Sequence, residues 1–122
     1  MILADSAVWI DHLTKPIAAL SELLAKEQVA GHPLVTAEVS LGSLAQRSRV
    51  IARLQGLYPT RVATIEQTQM FIDCRQLWSV GIGYVDANLL ASVLLTPGTL
   101  LMTRDKRLYR QAARLGVGYP AS

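Results

Sequence analysis

"MILADSAVWIDH", residues 1–12, joins an apolar run, Met1 to Ala4, to an apolar-periodic segment through His12, with Asp5 at the seam. Four apolar residues without polar alternation read as a strand covered on both faces, as in a parallel sheet. Asp is a favoured helix N-cap, so Asp5 marks the switch from strand period to helix period. The stretch predicts a strand running straight into a helix, with an acid at the joint.

The pattern recurs along the chain. "PIAALSELLAKEQ" (16–28) sets Ile17, Leu20 and Leu24 on one helical face, with Pro16 suited to the first turn. "GHPLV" (31–35) predicts a short strand opened by a turn, followed by helices over "TAEVSLGSLAQ" (36–46) and "SRVIARLQGLY" (48–58), the second ended by Gly56 or Pro59. "RVATI" (61–65) predicts another short strand. "TIEQTQMFIDCRQLWSVG" (64–81) predicts a helix opened by a Thr64–Gln67 capping box and ending near Gly81. "VDANLLASVLL" (85–95) is a helix apolar on most sides and therefore central. "GTLLMT" (98–103) is a buried strand, "RDKRLYRQAARLG" (104–116) a helix closed by Gly116, and "VGYP" (117–120) a last short strand. Strands alternating with helices give an α/β fold with a mostly parallel sheet covered on both faces. In such sheets the working crevice lies beyond the carboxyl ends of the strands.

At 122 residues the chain is read as a single domain over 1–122, with no repeat or linker. A hydrophobic content of 51% with 17% charged residues excludes a disordered chain. The most apolar window, Tyr84 to Met102, is broken by Asp86, Asn88, Pro97 and Gly98, so it is no membrane span. Asp5 precedes any positive charge, so the start is not a signal peptide. With a lone cysteine, Cys74, a reducing cytoplasm is the expected compartment, and Cys74 itself reads as an inert core or semi-buried thiol. The net charge of +3 is compatible with a polyanionic partner, and the basic residues cluster at Arg47, Arg49, Arg53 and again from Arg104 to Arg114.

Of nine Asp and Glu residues, Asp5 ends the first strand, Glu38 follows the second within one helical turn, Asp86 begins the central apolar helix and Asp105 follows the "LLMT" strand by two residues. Taken singly, each has an ordinary explanation, because Asp caps helices and an acid in a first turn complements the helix dipole. Together they map to one edge of a parallel sheet. Two like charges ~4 Å apart repel by about 4 kcal/mol at an effective dielectric near 20, against roughly 5–15 kcal/mol of total stability. Converging acids must therefore retain protons or share a cation. Oxygen ligands without Cys or His favour Mg²⁺ or Mn²⁺, and carboxylate-held Mg²⁺ implies phosphate chemistry.

The residues around these acids resemble the PIN-domain nucleases. "ILADSAVWIDHL" is similar to the family's opening motif, and "TAEVSLGSL", "GIGYVDANLLAS" and "LLMTRDKRL" resemble the other three, in order and at typical spacing. The closest likeness is to the VapC toxins of type II toxin–antitoxin pairs, over Ile2 to about Gly116. The resemblance implies a three-layer α/β/α sandwich with a five-stranded parallel sheet. It also implies a Mg²⁺- or Mn²⁺-dependent endoribonuclease acting on structured RNA such as tRNA. The implied partners are a small cognate antitoxin and a second copy of the chain, as a homodimer or within a heterotetramer or larger complex.

Carried onto this sequence, Asp5, Glu38, Asp86 and Asp105 match the family's catalytic, metal-binding acids, and Ser6 and Thr103 its supporting hydroxyls. The implied mechanism is metal-assisted hydrolysis, leaving 5′-phosphate and 3′-hydroxyl ends. Arg104 and Arg107 flank Asp105 and are expected to contact RNA or antitoxin. Two positions depart from the pattern: Ala7 replaces a hydroxyl residue, and Asn88 stands where many relatives carry His. His12, His32, Trp9 and Trp78 read as structural, with Trp9 also suited to an interface. A phosphatase would need an acid where Ala7 stands, and "LLMTRDK" is a poor match to a receiver domain's lysine site. The alternative is a non-catalytic PIN-like module that binds RNA or protein.

Overall fold

The structure, a computed structural model, describes residues 1–120. Its elements run β1 (Ile2–Ala4), α1 (Ser6–Thr14), α2 (Ala18–Ala25), β2 (Val29–Gly31), α3 (Pro33–Ser40), α4 (Arg47–Gln55) and β3 (Tyr58–Pro59). They continue α5 (Ile65–Cys74), α6 (Tyr84–Leu94), β4 (Leu100–Met102) and α7 (Lys106–Arg114). The described strands form one parallel sheet in the order β3-β2-β1-β4, with Leu3 opposite Ala30 of β2 and Leu101 of β4.

Among the described residues four strands form where five were expected. After α7 the chain passes alongside β4, where Leu101 donates to the Val117 carbonyl and accepts from the Tyr119 amide. Only one parallel bridge results, Leu101–Gly118. Pro120 has no N–H with which to extend the ladder. "RVATI" is likewise no strand: pairing with β2 ends at β3, and the Thr60 amide makes one further bond to Gly31.

Local chemistry moves other boundaries. Pro33 occupies the first turn of α3 and lacks a ladder donor, so the second strand is Val29–Gly31 and His32 becomes the helix cap. The Thr64–Gln67 capping box opens α5 as its sequence predicts. That helix stops at Cys74, well before Gly81, because Gln76 and Ser79 adopt left-handed backbone conformations. Gly116, at φ 76°, closes the α7 end.

Parallel crossovers are right-handed. From β1 to β3 the chain steps one way across the sheet; from β3 it returns past β1 to β4. Helices α1–α4 therefore cover one face and α5–α7 the other, in keeping with α1 and α4 packing on α3, α5 on α6, and α6 and α7 on β4. The reversal of strand order, where a crevice opens, lies between β1 and β4. The core is built from fully buried Leu3, Leu20, Leu89, Leu90, Leu101 and Leu108. Helix α6 is buried continuously from Ala87 to Val93, the consequence of being apolar on nearly all sides. Among the described residues, no helix is long and apolar enough to cross a membrane.

Candidate active site

Asp5 stands at the end of β1, 5% exposed, and caps α1 by accepting the Val8 amide at 3.0 Å. Its other oxygen accepts the hydroxyl of Thr103, the buried residue that follows β4. Thr103 in turn accepts the Asp105 amide at 3.1 Å, so one hydroxyl ties the ends of β1 and β4 across the switch point. Asp105 caps α7, with one carboxylate oxygen accepting the Arg107 and Leu108 amides at 2.9 and 3.0 Å. Ser6 donates to Glu38 at 2.7 Å, drawing α3 against the start of α1. Asp86 is half-buried in the first turn of α6; the cap there is Gly83, so Asp86 is spare for other work.

The four acids feel one another. Burial raises the Asp5 carboxyl above its ordinary value, and the charges of Asp105 and Glu38 add to this, against the Thr103 and Val8 hydrogen bonds. Burial also raises Asp86, reinforced by Asp5, Asp105 and Glu38, with the Gly83 backbone opposing. No basic side chain offsets them: the single ion pair among the described residues is Arg104–Asp11, 3.3 Å, on the surface. This is an uncompensated, all-oxygen set of carboxylates at one sheet edge, a chemistry that fits a hard divalent cation. Among the described residues, however, no three such side chains are drawn together tightly enough to hold an ion. The acids lie within electrostatic reach of one another without forming a closed coordination shell. The five other acids (Asp11, Glu22, Glu27, Glu66 and Asp73) are all exposed.

No family model matches the chain. Ribonuclease VapC32 of Mycobacterium tuberculosis, in strains CDC 1551 / Oshkosh and ATCC 25618 / H37Rv, is 47% identical over 117 residues, covering 96% of this chain and 94% of the relative. The chain belongs to the VapC family of PIN-domain toxins.

In this VapC-family chain the departures from the usual pattern are accommodated differently. Ala7 is exposed, so no buried partner misses a hydroxyl there. Asn88 faces away from the acids into a buried polar network that sequence reasoning missed. Its amide nitrogen donates to the Ala63 carbonyl and the Thr68 hydroxyl, both at 2.9 Å, while its oxygen accepts from Ser92. The Ser92 hydroxyl also accepts the Ala63 amide and faces His32 Nε2, each at 3.0 Å. The available signal was Asn88 and Ser92 one helical turn apart in an otherwise apolar helix, since buried polar groups need partners. Asn88→Ala is expected to lower stability by about 2 kcal/mol by leaving the Ala63 carbonyl without its donor and the Ser92 hydroxyl without its acceptor. Denaturant unfolding, with its slope unchanged, checks this.

Other side chains fall elsewhere than expected. Cys74 is exposed rather than buried, because it lies on the outer side of the last turn of α5. Trp78 is 56% exposed in the connection after α5, whereas Trp9 is buried edge-on against His12. Arg104 points to Asp11, away from the acids. A groove of about 460 Å³ runs between α3 and α4, and none of the four acids lines it.

Proposed function

We propose that this chain is the toxin of a type II toxin–antitoxin pair and works in the cytoplasm as a Mg²⁺- or Mn²⁺-dependent endoribonuclease on structured RNA such as tRNA. The observation that carries the reading is the convergence of Asp5, Glu38, Asp86 and Asp105 at the β1–β4 switch point without a basic partner. Asp5, Glu38 and Asp86 hold the ion, and Asp105 completes the set. When bound, the ion supplies a polarised water and neutralises charge on the phosphoryl oxygens.

The chain's own contribution is pre-organisation. Thr103 fixes one Asp5 oxygen and Ser6 one Glu38 oxygen, so two acids on different elements keep their rotamers before substrate arrives. A small cognate antitoxin restrains the enzyme, and a second copy of the chain completes a homodimer.

Purified protein incubated with RNA is expected to cut it with Mg²⁺ or Mn²⁺ and not with EDTA. The same ions are expected to raise the unfolding temperature by relieving the mutual repulsion of the acids. Cleavage at full rate in EDTA would sink the mechanism. Tight RNA binding with no cleavage under any divalent ion would favour the non-catalytic module instead.

A further inference from the structure

Arg107 follows Asp105 by two residues, and Gly81 precedes Asp86 by five. The structure lays the first across the second. A β carbon built on Gly81 would stand 2.7 Å from Arg107 Cδ, 3.1 Å from Nη1 and 3.2 Å from Nε. Gly81 also has φ 81°, a conformation that disfavours any side chain. The Arg107 side chain therefore runs against Gly81, in the α5–α6 connection that leads to Asp86. Among the described residues it makes no ion pair, although its own amide donates to Asp105. Arg104 pairs with Asp11, and Arg114 donates to Gln111 and the Arg75 carbonyl, whereas Lys106 and Arg110, like Arg107, make no ion pair among the described residues.

We propose that Arg107 binds a backbone phosphate of the RNA beside the scissile bond, and that Gly81 is glycine so that this guanidinium can lie where it does. The assignment rests on the nuclease reading above. A planar fork of donors with its stem supported and its head unspent suits a phosphate oxygen pair, and it stands beside the edge that a phosphodiester must approach.

The test is the affinity of the wild-type chain and its variants for a short fluorescent oligoribonucleotide in EDTA, over a series of salt concentrations. Arg107→Gln is expected to weaken binding roughly tenfold and to reduce the salt slope by about 1, while Arg107→Lys keeps the slope. Gly81→Ala displaces the side chain and is expected to weaken binding without removing charge. The double variant Gly81→Ala/Arg107→Gln then binds no worse than Arg107→Gln alone. Gly98→Ala is the control, since Gly98 has φ 79° with nothing within 4 Å of a β carbon. Wild-type affinity in Arg107→Gln overturns the proposal whether or not Gly81→Ala folds, and transfers Arg107 to protein contacts. A wild-type chain that binds no RNA at all would instead bring down the nuclease reading.

Discussion

Asp5→Asn is expected to cost RNA cleavage a factor of roughly a hundred to a thousand while leaving the unfolding temperature unchanged or higher. The two effects have one origin. Asp5 is buried, and its carboxyl is raised chiefly by burial and further by Asp105 and Glu38, so the folded chain holds that proton more tightly than the unfolded chain does. For a raised acid, stability falls as pH climbs from the ordinary carboxylate value through the folded one. Asn removes that cost while its carbonyl still accepts the Val8 amide as a helix cap. The cost of the exchange is functional: a neutral amide neither attracts a divalent ion nor offsets its charge. Single-turnover cleavage and thermal melts on the same preparation check both halves. Activity within a few-fold of wild type would remove Asp5 from the site, and a large drop in stability would reduce it to a structural cap. Opposite movement of activity and stability is the trade-off expected where like charges are gathered for function.

What could be read from the sequence was what short-range chemistry decides. Asp5 and Asp105 cap helices directly after strands, Thr64 and Gln67 close a capping box, and Gly116 takes the left-handed turn that ends α7. The first two of those joints place two of the four acids, because a parallel α/β fold puts every such joint on one edge. Longer-range matters were not legible. The fifth strand shrinks to a bridge at Gly118, where Pro120 ends the ladder, and Pro33 shifts β2 back along the chain. Asp86 matches its expected position but not its ordinary role, since Gly83 takes the cap and leaves the carboxylate to the crevice. The contact of His32 with Ser92 spans 60 residues, and no local pattern specifies such a partner. Arg104 and Arg107 look equivalent around Asp105, yet Asp11 captures the first and Gly81 supports the second.

The same buried network predicts acid sensitivity. His32 Nδ1 accepts the Leu34 amide at 3.1 Å, capping α3, and Nε2 lies 3.0 Å from Ser92 Oγ. Ser92 donates to Asn88, so it must accept from His32, and the ring is neutral with its proton on Nε2. A second proton on Nδ1 would face the Leu34 N–H, donor against donor, in a buried site. Burial accordingly lowers His32 from 6.5 to about 4, with the Asn88 contact opposing. Between those values the unfolded chain binds a proton that the folded chain refuses. This contribution to stability is complete above about pH 6.5 and is lost as pH falls toward 4, by about 3 kcal/mol. Asp5 and Asp86 titrate with the opposite sign, since raised acids regain stability on acidification, so wild-type stability alone would blend the two. His32→Asn separates them: Asn is a good helix cap, does not titrate, and leaves the acids in place. The stability advantage of wild type over His32→Asn, from denaturant unfolding, is expected to shrink by about 3 kcal/mol between neutral pH and pH 4. A constant advantage across that range would mean that His32 accepts its second proton without cost. Because His32 caps the helix that carries Glu38, the loss should reach the acidic edge, and activity at mildly acidic pH should fall less steeply in the variant than in the wild type.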